Sequence, residues 1–294
     1  MKKFFNILFY VSIVVFVIYL TQIDYISLSN IGCNLYYLIG AILLLWAGFY
    51  VSTQSWWYAL RVHDIKISRR TALISHGLSV FAKYIPGKVW VILGRASYIA
   101  RDKNISPKTA SVASLKEQLI FLLLGLIISF YPILKLVDSW YVPAFILFTI
   151  LLIALFLFNK ALHNFITHIV KKWFKKELNV PLINLNNVSK LSGVILLYWF
   201  LWTAGFYLLL FAFGIPGPFK ASFVFPVSAV YGVLAIIFPG GIGVREGIMV
   251  SLLTMMGCNP LTATTFSVVS RLWFITGELF IFSLAFIARQ RKIT

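Results

Sequence analysis

Long apolar runs, each separated from the next by a short cluster of basic residues, dominate this chain. A spanning helix needs roughly 20 mostly apolar residues. Runs of that kind predict spans over 4–23, 34–60, 115–137, 141–158, 190–214 and 261–288. Two further apolar regions, 72–100 and 221–257, are each interrupted near the middle by Pro-Gly, at Pro86-Gly87 and Pro239-Gly240. The halves of the first, 72–85 and 87–100, are too short to span, and those of the second are borderline. The pattern predicts an all-α polytopic membrane protein with about six full spans and two Pro-Gly-broken hairpins, re-entrant or built of short helices. It reads as a single transmembrane domain over 1–294, in two halves of about 1–140 and 141–294.

The polar positions set an orientation, because cytoplasmic loops are enriched in Lys and Arg. Lys2 and Lys3, the group Arg61, Lys66, Arg69 and Arg70, the group Arg101, Lys103 and Lys108, the stretch Lys160 to Lys176, and Arg289, Arg291 and Lys292 all read as inside. The connections 24–33, 135–140, 215–220 and 258–260 read as outside, with Lys135 against the rule. Both termini are then cytoplasmic, and the two broken segments enter from opposite faces. The opening Met1-Lys2-Lys3 and the run Phe4 to Leu20 imitate a signal peptide. Thr21-Gln22-Ile23-Asp24 offers no small-residue cleavage site, so the run is expected to be a retained first helix.

Composition narrows the class. The chain has 294 residues, 61% apolar and 12% charged, where soluble domains run at roughly 45–50% and 25%. That excludes an ordinary soluble enzyme and a disordered chain. The formal charge is +18, but the bases lie between spans, which points to a membrane surface and not to nucleic acid. Eight acidic residues leave few candidates for acid–base or metal chemistry. Cys33 and Cys258 lie in unrelated stretches, and His63, His76, His163 and His168 lack ligand spacing. No catalytic residue, metal or cofactor is assigned. The nine Trp and fourteen Tyr, as in Trp56-Trp57-Tyr58, read as interfacial anchors.

The two broken segments resemble one another. The first reads Lys83-Tyr84-Ile85-Pro86-Gly87-Lys88, then Gly94-Arg95, then Thr109-Ala110. The second reads Phe238-Pro239-Gly240-Gly241, then Gly243-Val244-Arg245-Glu246, then Thr262-Ala263. From Pro86 to Pro239, Arg95 to Arg245 and Thr109 to Thr262 the offsets are 153, 150 and 153 positions. Three predicted spans separate the copies, and an odd number makes the repeat inverted. Paired interrupted segments in corresponding halves point to a transporter's binding site. Pro and Gly free backbone groups at membrane depth, where they are tolerated only in protein or beside a wet cavity. Freed helix N-termini suit phosphate or carboxylate.

Charges at that depth are functional candidates. Lys83, Lys88 and Arg95 flank the first break, Arg245 and Glu246 follow the second, and Lys116-Glu117 opens the span at 115–137. Arg271 and Glu278 lie seven apart in the last span, on one helical face. The bases outnumber the acids, so the site is expected to take an anion. Lys83, Pro86, Gly87, Lys88, Arg95, Pro239, Gly240, Gly241, Arg245 and Arg271 are the candidate lipid- or anion-binding residues. Arg95 and Arg245, which occupy matched positions, lead that set. Glu117, Glu246 and Glu278 are candidate proton carriers or ion-pair partners.

Lys83-Tyr84-Ile85-Pro86-Gly87-Lys88 with Gly94-Arg95, and Phe238-Pro239-Gly240-Gly241-Ile242-Gly243-Val244-Arg245-Glu246-Gly247, resemble the paired signatures of the lysylphosphatidylglycerol synthase transmembrane (flippase-like) family. Ser270-Arg271-Leu272 resembles the arginine of that family's last conserved helix, and Lys116-Glu117 stands where the family usually has Glu-Arg. The resemblance implies a prokaryotic inner-membrane protein that moves anionic or aminoacylated phospholipids or lipid-linked sugars. Full-length synthases carry a soluble aminoacyl-transferase domain after the membrane part, whereas this sequence reaches Thr294 soon after its last span, so lipid aminoacylation is not expected. Many relatives have a further Gly and Glu where this chain has Lys88-Val89-Trp90. The expected function is a flippase or transporter of an anionic lipid head group, a phospholipid or polyprenyl-phosphate-linked sugar, in envelope assembly. Glycosyltransferases of such a pathway are a further expected partner class. A membrane glycosyltransferase, or a non-transporting partner of one, is the alternative.

Overall fold

The computed structural model describes residues 32–85, 89–103, 105–136, 140–161, 164, 168, 185–215, 217–235 and 238–290. The expected span 4–23, Pro86-Gly87-Lys88 and the basic stretch at 171–176 lie outside the described residues. Every element among the described residues is helical. In chain order they are α1 (Leu35–Val62), α2 (Arg69–Ser79) continuing as a 3-10 turn (Val80–Tyr84), α3 (Val89–Lys103), α4 (Pro107–Leu136), α5 (Tyr141–Phe158) and α6 (Leu185–Ala212). Then come α7 (Pro218–Ala221), α8 (Val224–Leu234), a 3-10 turn (Pro239–Gly241), α9 (Val244–Met255) and α10 (Pro260–Gln290). This is an all-α polytopic membrane protein.

Four helices are long and apolar enough to cross a bilayer: Leu35–Val62, Pro107–Lys135, Asn187–Ala212 and Pro260–Gln290. They match the spans expected at 34–60, 115–137, 190–214 and 261–288. The run at 141–158 forms α5 at its expected bounds with 18 residues. At about 1.5 Å per residue that is about 27 Å, slightly under the roughly 30 Å hydrocarbon core. Helix α4 starts well before its apolar run. Pro107 is preorganised for a first helical position, and the polar turn after it extends the helix beyond the apolar stretch that marked the span.

Local chemistry fixes the helix ends. Asn34 caps α1, its side chain accepting from Tyr36 N at 3.1 Å, while its own N–H donates to Ala212 O at the end of α6, 2.8 Å away. Ser68 caps α2, accepting from Thr71 N at 3.1 Å. The second break turns on glycine: Gly240, Gly241 and Gly243 have φ of 60°, 71° and 83°, a region that side chains resist and glycine enters freely.

Each broken segment folds as a hairpin. In the first, Gly94 of α3 faces Ser79 of α2, and the Arg95 side chain reaches His76 one turn further down. In the second, Gly232 of α8 lies against Gly241 and against the Cβ of Arg245 in α9. Helix α10 receives both tips. Arg70 at the start of α2 donates to Ala288 O near the end of α10, whereas Lys83 and Tyr84 reach Glu278. At about 1.5 Å per residue the first segment thus runs about 15 Å down α10 before it breaks. Gly240 of the second break meets Arg271, one helical stretch further along.

The aromatic residues correct part of the anchoring expectation. Trp56 and Trp199 are fully buried, and Trp202 and Trp273 nearly so. Trp56 is held inside by its indole N–H, which donates to Ser75 Oγ at 2.9 Å. Phe49, Trp202, Phe225, Trp273 and Phe274 make one ring cluster joining α1, α6, α8 and α10. Aromatic pairs add about 0.5–1.5 kcal/mol beyond area burial, a useful term where lipid tails are as apolar as leucine. Trp140, by contrast, is exposed, as an anchor would be.

Candidate functional site

The candidate residues assemble into two charged clusters, which differ in how completely they are satisfied. The first surrounds Arg95, which is fully buried. Its Nη2 pairs with Glu117 Oε2 at 2.5 Å and donates to Ser114 O at 3.0 Å. Its Nε donates to Ser114 Oγ at 2.6 Å, and its Nη1 lies 3.5 Å from His76 Nδ1. The guanidinium also stacks on Trp56, 4.2 Å from the ring centroid. Glu117 accepts from Ser55 Oγ at 2.6 Å, and His76 Nε2 lies 3.3 Å from Ser52 Oγ. Four helices, α1 to α4, are tied together through this one guanidinium. The carboxylate and arginine neutralise each other, which suits a buried site.

The second cluster lies where the two breaks meet along α10. Glu278, 1% exposed, accepts an ion-paired hydrogen bond from Lys83 and one from Tyr84 Oη at 2.8 Å. Both donors sit on the 3-10 turn just before the first break. Arg271, 4% exposed, donates to Gly240 O at 3.2 Å and to Tyr84 Oη at 3.4 Å. It also faces Glu246 Oε1 at 3.8 Å. The other oxygen of Glu246 accepts from Gly243 N at 2.7 Å, capping the start of α9. That helix end, expected from the sequence to be free for an anion, is thus partly filled by its own carboxylate.

Arg245 is the exception in this network. It is 6% exposed, and its guanidinium lies over the rings of Phe274 and Phe225, at 4.5 and 5.2 Å from their centroids. Its Nη2 is buried without a hydrogen-bond partner, as are Arg271 Nε, Ser270 Oγ and Tyr231 Oη. All four atoms can donate, and two of them are guanidinium N–H groups of the arginines in this cluster, a pair that suits an acceptor-rich anion. The shape of the α8–α9 hairpin fixes Arg245, because Gly232 leaves only 3.2 Å between a Cβ there and the Arg245 Cβ.

The structure therefore brings Lys83, Gly240, Gly241, Arg245, Arg271, Glu246 and Glu278 together, with Pro239 in the same 3-10 turn. It places Arg95 and Glu117 in the other cluster. Pro86, Gly87 and Lys88 lie outside the described residues. Among the described residues no group of three or more His, Cys, Asp or Glu could hold a metal ion. Sequence reasoning passed over Tyr84 as a ligand of Glu278, Ser55 and Ser114 around the first cluster, His76 against Arg95, and the rings of Phe225 and Phe274. Only Tyr84 carried a signal, lying inside the quoted motif. The others are ordinary residues until the packing joins them.

The family described as lysylphosphatidylglycerol synthase TM region matches residues 4–276. That stretch holds both breaks, both matched arginines and Arg271. The chain belongs to this family. No curated protein and no solved structure matches it. Membership places the chain among membrane proteins of lipid metabolism or transport. The lysylphosphatidylglycerol synthase TM match ends before Glu278, so the clasp between Glu278 and the first break reaches past the matched stretch.

Proposed function

We propose that the chain is a transporter that binds an anionic lipid head group at the meeting point of the two breaks and passes it between leaflets. The cargo is a phospholipid or a polyprenyl-phosphate-linked sugar, the membrane is a prokaryotic inner membrane with both termini cytoplasmic, and the pathway is envelope assembly. The observation that carries this reading is Arg245, a buried arginine on two aromatic rings whose Nη2 has no protein partner. A charge held at such depth is a functional feature by default, and arginine is suited to phosphate. Arg95 has a different role in this reading. Its donors are used by Glu117 and Ser114, so it braces the first hairpin and the lipid contact falls to Arg245 and Arg271.

Movement requires the two tips to part, and α10 is the element that ties them. Glu278 holds the first tip and Arg271 holds the second. Of the three carboxylates buried among the described residues, Glu278 is the one bonded directly to a residue beside the first break, which favours it as the proton or ion carrier. Lipids retained on purification, read by native mass spectrometry, test the binding step. Wild-type protein is expected to retain an anionic lipid that Arg245→Gln loses by about tenfold or more, the effect of one charge-assisted contact. Identical retained lipids in both would defeat the assignment of Arg245.

A further inference from the structure

The charge balance around Arg245 goes further than an anion in general. The sequence contains eight acidic residues, and three of them, Glu117, Glu246 and Glu278, are buried in the bundle. All three are engaged elsewhere: Glu117 with Arg95, Glu278 with Lys83 and Tyr84, and Glu246 with Gly243 N and Arg271. Lys83 and Arg271 are thereby matched one to one by carboxylates. Among the described residues Arg245 has no carboxylate within ion-pair distance. Among the described residues the cluster at the breaks, Lys83, Arg245 and Arg271 against Glu246 and Glu278, thus carries one positive charge in excess, that of Arg245 on Phe225 and Phe274.

A buried charge is stable only when paired. The group that completes this site should carry one negative charge and present several acceptor oxygens to Arg245 Nη2 and Arg271 Nε, both buried and unpartnered. A phosphodiester has that charge and those acceptors. A phosphomonoester or diphosphate brings at least part of a second charge, which this cluster meets only by giving up one of its own carboxylate pairs. We infer that the site selects a monoanionic phosphodiester head group, on a glycerolipid or a polyprenyl chain, over phosphomonoester and diphosphate lipids. This rests on the proposed lipid site and narrows its cargo.

Thermal unfolding of the full chain in detergent tests the inference without requiring transport. The probes are short-chain phosphatidylglycerol and a polyprenyl-phosphate monosaccharide, both phosphodiesters, with phosphatidic acid and a polyprenyl diphosphate as the competitors. At least one phosphodiester is expected to stabilise the protein at about tenfold lower concentration than either competitor. Which phosphodiester does so separates the glycerolipid source from the polyprenyl source. Arg245→Gln is expected to melt, without lipid, at or above the wild-type temperature, because it removes an unmatched charge, and to lose the lipid-dependent rise. Tighter binding of the diphosphate or monoester would overturn the inference while leaving an anionic lipid site standing. An Arg245→Gln variant that fails to fold would also overturn it, since the charge would then be matched within the protein. Phosphodiester selectivity with no lipid movement in vesicles would instead sink the transport reading and leave this one intact.

Discussion

Arg95→Ala is expected to yield little folded protein, the largest single loss from any charged residue described. The substitution leaves Glu117, 2% exposed, charged and buried, with the Ser55 hydroxyl as its remaining hydrogen bond among the contacts described. Removing one member of a buried pair costs about 3–5 kcal/mol, a large part of the roughly 5–15 kcal/mol that holds a typical domain folded. The substitution also frees the stacking face of Trp56 and both Ser114 acceptors. The double substitution Arg95→Met with Glu117→Gln removes both charges and keeps most of the volume, so it is expected to recover most of the loss. Melting temperatures of the single and double variants in one detergent decide the matter. A single variant as stable as wild type would mean that Glu117 finds another partner and that Arg95 is no brace.

Gly241→Ala is the second large effect, and its cause is steric. Gly241 has φ of 71°, where a side chain costs roughly 1–2 kcal/mol from backbone conformation alone. A Cβ there would also sit 2.6 Å from Gly232 O and 2.8 Å from Gly232 Cα. Backbone cannot rotate away as a side chain would, so α8 and the second break must separate. Gly232 also borders the Arg245 Cβ, so the displacement passes directly to the candidate lipid contact. Gly214→Ala is the control: it has φ of 64° with nothing within 4 Å of the new Cβ, and so carries the backbone term alone. Gly241→Ala is expected to lower both the melting temperature and lipid retention well below the Gly214→Ala values. Equal values in the two variants would show that the hairpin tip tolerates opening.

Four of the spans, and the second break, were legible because they are local features. A run of apolar residues long enough to cross, or one cut by Pro-Gly, has no other physical outlet in a chain this poor in charge. The start of α4 at Pro107 was not legible from apolarity, since backbone hydrogen bonds carry a helix past its apolar run, here through a stretch with Ala110, Ala113 and Ser114 packed inside. The charged residues were found but not sorted. Arg95 and Arg245 look equivalent at an offset of 150 positions, and both lie over aromatic rings, yet their polar partners differ. Arg95 meets Ser114 and Glu117, which α4 brings alongside α3. Arg245 meets Phe225 and Phe274, from the helices before and after its own, and no carboxylate among the described residues. Burial of Trp56 and Trp199 escaped for the same reason, because composition treats every tryptophan alike. The partners of a buried charge are set by tertiary packing, and one sequence records that packing only indirectly.

In the proposed function the chain moves an anionic lipid between leaflets through contact with Arg245. Reconstituted vesicles with a head-group-labelled phosphatidylglycerol in one leaflet, followed by its exposure to an impermeant quencher, test it most directly. Wild-type protein is predicted to exchange the labelled lipid well above the protein-free rate, and Arg245→Gln, folded to the same extent, is predicted to fall back to about that rate. Exchange by Arg245→Gln at the wild-type rate would mean that Arg245 plays no part in lipid movement.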